Sequence, residues 1–481
     1  MMRCIWGLVV LMGCSRADGG QVGGDAGGGG CVRDEDCGAE APVCDVASGV
    51  CGACTDGFGC SRFEGAPYCV VGECVGCGEP GETAFCASVG WEICDAAGRC
   101  RGCESNAECS SGACAEGECV AEQAAIYVEP GGSPTGECTR DEPCGSIARG
   151  MEVAAEGRQV IVLADGMYDE AVVVNPTTYA PVWLDLVADR AIIQRPTTGP
   201  VVRIRDVPVR LERVVIQRGS GATGVGIDCA AIDGPNFPVT TRDVTIRDNA
   251  GGGILSEGCD VWLDRGSVMG NGGDGVRTNG GGLGVSYSVI EDNSGLGLIA
   301  NGNGSASINS SWVLGNAGGG VDLDAAIYVL FDCIIGANGN LIDAQVGGLA
   351  LGATGPEAAG FEHLTIAANR AASGGSPGIR CADSAAVRNS IVWGNEGGEE
   401  QVEGLCKPTY ALVSGPVPPG AGNLMGDPDF VDPAAGNFDI GNASDAIDRG
   451  DPESGPTLDI HRERRGEGEL ADLGADEYVP R

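Results

Sequence analysis

The chain has 481 residues, 84 of them glycine and 25 cysteine, with a formal net charge of −39 and a sequence pI of about 4.2. Such acidity excludes nucleic acid and anionic membrane surfaces as electrostatic partners. It is compatible with weak Ca²⁺ binding, although a solvated surface is the simpler account, and no cofactor is expected.

The chain opens on Met1-Met-Arg3, an apolar run from Ile5 to Met12, and Leu11-Met-Gly-Cys14. A basic residue, a short apolar run and small residues before a cut make a secretory signal. The run is too short to span a bilayer, which takes about 18 apolar residues. The Leu-x-Gly-Cys ending resembles the lipobox of bacterial lipoproteins. That resemblance implies a signal peptide at 1–13 and a lipid on Cys14. Ser15 follows where Asp would mark inner-membrane retention, so the implied address is the outer membrane, facing the surface or the periplasm. Stable anchoring needs more than one acyl chain, which such a lipoprotein carries. Residues 14–30, dominated by Gly, Asp, Ala and Ser, then form a flexible tether.

Residues 31–120 hold sixteen cysteines, Cys31 to Cys119, which parse into four units of four. The joins are Cys51-Gly-Ala-Cys54, Cys74-Val-Gly-Cys77 and Cys100-Arg-Gly-Cys103. Few large apolar residues lie between them. Disulfides, each contributing about 2–4 kcal/mol, must therefore stand in for a core. Repeated C-x-x-C is also a zinc pattern, but an even count in an exported chain favours disulfides. Three connectivities per unit stay open. The segment reads as a rigid spacer, with a small recognition module as the alternative.

Ile126-Tyr-Val128 reads as a strand. Ser146 then caps a helix with Ile147, Met151 and Ala154 at helical spacing and Gly157 as its stop. The strands Val160-Ile-Val-Leu163 and Ala171-Val-Val-Val174 flank Asp165-Gly-Met-Tyr168. This order resembles the start of exported proteins of the pectin-lyase-like β-helix superfamily. The resemblance implies a capping helix and a disulfide between Cys138 and Cys144.

Further on, one phrase recurs: an aliphatic residue, two residues, Asn, then x-Gly-x-Gly-aliphatic. Its copies carry Ile246 and Asn249, Val268 and Asn271, Ile290 and Asn293, and Val313 and Asn316, at Asn spacings of 22, 22 and 23. A fixed period of this length means stacked units, and short β-branched runs between Gly and Asn are strands. The expected fold over 121–481 is all-β: a right-handed single-stranded parallel β-helix with an N-terminal capping helix, preceded by the disulfide-rich repeats. Ile246, Val268, Ile290, Val313, Ile335, Ile366 and Val392 should stack inward. The Asn residues three positions later should hydrogen-bond from coil to coil and adopt a left-handed turn. The glycines should supply positive φ. Asn338, Asn369 and Asn395 keep only the strand half of the phrase, at spacings of 31 and 26, so 340–360 and 371–377 read as loops.

The register also places cysteines. Cys229 and Cys259 each lie ten residues after a turn position, Gly219 and Asn249, and so fall in one column. Coils about 4.8 Å apart suit a disulfide. The same logic pairs Cys381 with Cys406, and Cys333 remains as an odd, buried thiol.

From about residue 424 the sequence Asp427-Pro-Asp-Phe430, Gly436-Asn-Phe438, Ala446-Ile-Asp448 and Asp472-Leu-Gly474-Ala475 resembles a C-terminal module that closes many bacterial surface β-helix proteins, including ones with choice-of-anchor ends. It departs from that module at Asp459-Ile-His-Arg-Glu-Arg-Arg465.

Among pectinolytic β-helix enzymes, the hydrolases resemble one another in clustered Asp residues with Gly-His-Gly and Arg-Ile-Lys. Neither His363 nor His461 is flanked by glycine, and His363 reads as an outward surface residue. The lyases use Ca²⁺-binding acids with an Arg or Lys base, and the best acidic cluster here is Asp322-Leu-Asp324. Eight residues after each Asn stand Glu257, Asn279, Asn301 and Asp324, a polar column with Arg277 beside it. It offers groups to a cation or to sugar hydroxyls. Trp312, outward beside Val289, Ile334 and Ile391, is a candidate sugar-stacking platform, or else packs beneath an inserted loop. The leading expectation is a monomeric, non-enzymatic surface lipoprotein that binds polysaccharide or matrix. A polysaccharide lyase or glycoside hydrolase, and a structural envelope protein, are the competing classes.

Overall fold

Glycine and asparagine cut the sequence into short runs, and each run becomes one strand. In the computed structural model one coil comprises Thr245–Arg247, Gly252–Glu257 and Asp260–Asp264. The next comprises Ser267–Met269, Val276–Asn279 and Leu283–Ser286. Each strand pairs in parallel with its counterpart one coil on: Thr245 with Ser267, Ile254 with Val276, Val261 with Leu283. The result is a mostly-β parallel solenoid of about ten turns, preceded by a disulfide-rich segment. The structure describes residues 31–480 except for short stretches between 32 and 92 and for 177–183, 233–235, 353–359, 399, 455–457 and 467–469. The signal peptide, Cys14 and the tether lie outside the described residues.

The inward column runs Ile193, Ile216, Ile246, Val268, Ile290, Val313, Ile335, Ile366, Val392 and Val413, each opposite the next. All are buried. Beside it the asparagines form a ladder. The side-chain amide of Asn271 donates to Asn293 Oδ1 at 2.9 Å and to the Ile246 carbonyl at 3.1 Å, and its backbone N–H donates to Asn293 Oδ1 at 3.1 Å. The pattern repeats through Asn316, Asn338 and Asn369 to Asn395, whose amide ends on the Gln401 side chain. Every donor of these buried amides is used, which is what a dry interior requires.

Several expectations are corrected. The left-handed residue is the one before each Asn: Asp248, Asp292, Ala337 and Ala368 have φ of 53–55°, and Gly270, Gly315 and Gly394 of 62–65°. The Asn side chain ties the turn instead of bending it. The last glycine of the phrase serves close approach. A Cβ on Gly275 would stand 2.5 Å from the Gly297 carbonyl oxygen, and one on Gly297 would stand 2.5 Å from Val313 Cγ1. Residues 340–360 are not one loop, because Val346–Leu351 is a fully buried strand. Its Leu349 lies opposite both Val321 and Ile379. The glycine half of the phrase thus persists as Gly348-Leu349 and Gly378-Ile379, displaced by inserted residues. Segment 371–377 is a loop, as expected, lying between two strands; it is mostly buried, with Ser376 bridged to Val346.

Cys229 and Cys259 are bonded but do not share a column. The pairing offset drops from 30 at Ile216–Ile246 to 27 at Ile227–Ile254, so Cys229 aligns with Ser256. Cys259, past the next corner, reaches it with Cα atoms 6.3 Å apart. Cys381 is likewise opposite Gly404, and Cys406 is opposite Ala385, yet the two are bonded with Cα atoms 5.1 Å apart. Cys333 is buried and free.

The upstream end is closed by the helix Ile147–Val153. Ser146 Oγ accepts from the Arg149 N–H, and the Glu170 carboxylate accepts from the N–H groups of Ile147 and Ala148 at 2.8 and 3.1 Å. Its Ile147 and Met151 join the solenoid core, and Cys138 bonds Cys144 behind it.

The described residues form two compact units, divided between Arg101 and Gly102. All four cysteine quartets share one connectivity, first to third and second to fourth: Cys31–Cys44 and Cys37–Cys51, Cys54–Cys69 and Cys60–Cys74, Cys77–Cys94 and Cys86–Cys100, Cys103–Cys114 and Cys109–Cys119. The third and fourth cysteines of each face one another across a two-stranded antiparallel hairpin. The fourth quartet belongs to the larger unit. There the Arg213 guanidinium donates to the Cys114 carbonyl at 2.7 Å and pairs with the fully buried Glu212, whose carboxylate accepts from the Glu116 N–H.

The C-terminal segment lies along the flank of the solenoid. Ile334, Ile391 and Leu412 point away from the inner core and would be exposed on a bare β-helix. Phe438, Ile460 and Ala475 cover the first, and Ile440, Ala446 and Leu473 cover the other two. A buried ion pair, Arg465 to Asp332 at 2.6 Å, and the Ala475 N–H bonded to Thr365 Oγ1 fasten it.

Candidate functional site

Two residues of each coil's second strand face outward, and stacking turns them into two parallel columns. One column holds Glu257, Asn279, Asn301 and Asp324 in register. The other holds Arg277, Ile299, Asp322, Ala350 and Arg380. Alternation puts both columns on one face of the sheet.

The two ends of this face differ in what their polar groups are already doing. Glu257 accepts from the Asn279 amide at 2.8 Å, Asn301 reaches Asn279 at 3.4 Å, and Arg277 pairs with Asp274 at 2.6 Å. That end is satisfied internally. At the other end Asp322, Asp324 and Arg380 line a groove of about 670 Å³ together with Asn301, Gly352 and Leu405. None of these three makes a hydrogen bond or ion pair within the described residues. Burial pushes the Asp322 carboxyl above its usual range; Arg380 opposes that shift, Asp324 adds to it, and Arg277 opposes it more weakly. Asp324 and Arg380 are exposed at the mouth of the groove.

Asn301 and Asp324 therefore come together in the groove, whereas Glu257, Asn279 and Arg277 belong to the satisfied end. Trp312 is half-buried beneath the C-terminal segment, packed with the Phe438 and Ile460 cluster and tilted against the His461 ring at 6.0 Å. It is not an open stacking platform, because the aliphatic column beside it recruits that segment. His363 is corrected too. It is 1 % exposed with φ of 54°, under the same segment, and burial, with Arg465 nearby, holds its imidazole well below its usual pKa. Arg380 was not anticipated. The signal was present: Arg277 follows Val276, Asp322 follows Val321, and Arg380 follows Ile379 in the displaced copy.

A family model described as "Right handed beta helix region" matches residues 223–404. No curated protein matches the chain. Among solved structures, that described as "Crystal structure of pectate lyase Pel9A" is similar with a TM-score of 0.48 and 16% sequence identity, over 78% of this chain and 100% of that one.

Proposed function

We propose that this protein binds an extended polysaccharide along the outward face of its second strands, with the groove at Asp322, Asp324 and Arg380 as the anchoring point. One observation carries the reading: three charged side chains with no partner among the described residues converge in one groove, while the polar groups at the other end of the face are paired internally. A guanidinium in such a place suits a sugar carboxylate, and the carboxylates suit sugar hydroxyls or a bridging cation. The net charge of −39 repels a bare polyanion. A uronate polymer would therefore need Arg380 or a divalent cation to approach.

Cleavage is the second reading, favoured by the same convergence of two acids and a base-forming cation. One assay separates the two: a glycan array with parallel detection of reducing ends and unsaturated sugars. Retention without product, weakened about tenfold or more in Asp322→Asn and Arg380→Ala as loss of charge-assisted contacts implies, supports binding. Product formed by the native protein and lost in those variants assigns an enzyme. Retention unchanged in both variants overturns the groove as the site.

The lipobox resemblance supports a tethered protein anchored through Cys14 in the outer membrane. Release of a Cys14→Ala variant into the soluble fraction would accord with that anchor. Unchanged membrane retention would contradict it.

A further inference from the structure

The C-terminal segment carries a second polar cavity, of about 390 Å³, lined by Asp439, His461, Glu463, Asp476 and Tyr478 among others. Three separate stretches supply its charged groups: Asp439 from the strand Asn437–Ile440, His461 from the turn after Asp459, and Asp476 from near the end of the chain. His461 Nε2 lies 2.8 Å from Asp439 Oδ1 and 3.7 Å from Asp476 Oδ1. The three ligand atoms lie within 4.8 Å of one another. Zinc–nitrogen and zinc–carboxylate bonds of about 2.0–2.2 Å put ligand atoms roughly 3.3–3.6 Å apart in a tetrahedral shell. The two measured separations bracket that range.

The groups are also held in place. Asp476 is 6 % exposed, and its Oδ2 accepts the Ile440 N–H at 2.8 Å. Its Oδ1 accepts no hydrogen bond within the described residues and faces His461 across the cavity. That oxygen lines the cavity, where a cation can reach it. The backbone N–H of His461 donates to Asp459 Oδ1 at 2.9 Å, the backbone N–H of Asp439 donates to Asn437 Oδ1 at 2.9 Å, and the imidazole leans on Trp312.

We infer that this cavity is a site for a zinc-class divalent cation, with Asp439, His461 and Asp476 as protein ligands and a fourth position open to water. The imidazole selects a borderline cation over Ca²⁺ or Mg²⁺, which take oxygen ligands. Binding requires His461 Nε2 to be unprotonated, so each bound ion releases a proton and affinity rises with pH. The competing occupant is that proton, which turns the site into a plain histidine–aspartate ion pair.

The test titrates Zn²⁺ into the full chain, stripped of metal with a chelator, by calorimetry and by imidazole ¹⁵N NMR. The chain has two histidines, and His363 is buried, so the assignment is unambiguous. The expected result is one equivalent of Zn²⁺, a large shift of His461 Nε2 with His363 unmoved, no comparable response to Ca²⁺, and affinity lowered about tenfold or more in Asp439→Asn and His461→Ala. Absence of heat and of a His461 shift at millimolar Zn²⁺ would overturn the site, as would an equal response to Ca²⁺ or unchanged affinity in both variants. The NMR arm uses the native protein and stands even where a variant folds poorly.

Discussion

Asn293 shows how much one side chain can hold. Its Oδ1 accepts both the backbone N–H and the amide of Asn271, and its amide donates to the Val268 carbonyl and to Asn316 Oδ1. Asn293→Ala would orphan donors in a fully buried place, at about 1–3 kcal/mol for each group left unmet. The expected outcome is a loss of roughly 2–5 kcal/mol in urea unfolding, against a smaller loss for Asn395→Ala at the rim of the ladder. Equal losses at both sites would show that the ladder does not act as a buried stack. The ladder was legible because one residue type recurs at one spacing. The left-handed positions were not, because Asp248, Gly270, Asp292, Gly315 and Ala337 are of three residue types and are united only by backbone geometry. A second left-handed column, Arg265, Tyr287, Ser310, Asp332, His363 and Asn389, is as mixed. That mixture hid the corner at His363, and with it the burial of that residue.

The C-terminal segment is the element whose sequence says least about its contacts, since its partners lie from about thirty to more than a hundred residues upstream, as with Ile440 on Leu412 and Arg465 on Asp332. What gave it away in principle is the outward column Ile334, Ile391 and Leu412, three large aliphatic residues where alternation wants polar ones. The segment brings its own charges inside. Burial raises Asp332 and Asp476 to about 7 and Asp472 to about 6, while the hydrogen bond to Asp439 raises His461 to about 9. A group with a raised folded pKa gives stability at low pH that is lost as pH passes that value. His363, depressed by burial, acts the other way: its contribution is present above about 6.5, its usual pKa, and lost below it. The two trends oppose one another on the acid side, and above about 6.5 only loss remains. Metal-free protein should therefore melt at a lower temperature near pH 9 than near pH 6.5, and segment 427–480 should become cleavable by protease first. A melting temperature that is flat or rising across that window would exclude this buried set as the controlling one.

At the scale of the whole molecule the solenoid is a one-dimensional stack, in which each coil answers only to its neighbours. The regular stretch from Ile246 to Val321 obeys this most closely, since its repeating residues are explained by stacking and turning. The groove lies at and beyond Asn301, and the flank covered by the C-terminal segment runs from Trp312 to Leu412. Its reach back to Tyr287, where Arg462 sits 4.3 Å over the ring, is served by whichever copy of that residue is downstream. A tandem copy of residues 268–289 therefore inserts one full coil: Asn271 of the new coil finds an Asn above and below, and Val268 finds an aliphatic on both sides. Such a protein should fold, gain β-sheet signal in circular dichroism, and retain glycan and Zn²⁺ as the parent does. Inserting only half that length would move the Asn ladder to the opposite side of the coil, strand every inward aliphatic residue, and yield an insoluble chain. If the full-coil insertion also failed, stability would have to be shared along the length of the solenoid, and the groove could not be treated as a local site on a passive scaffold.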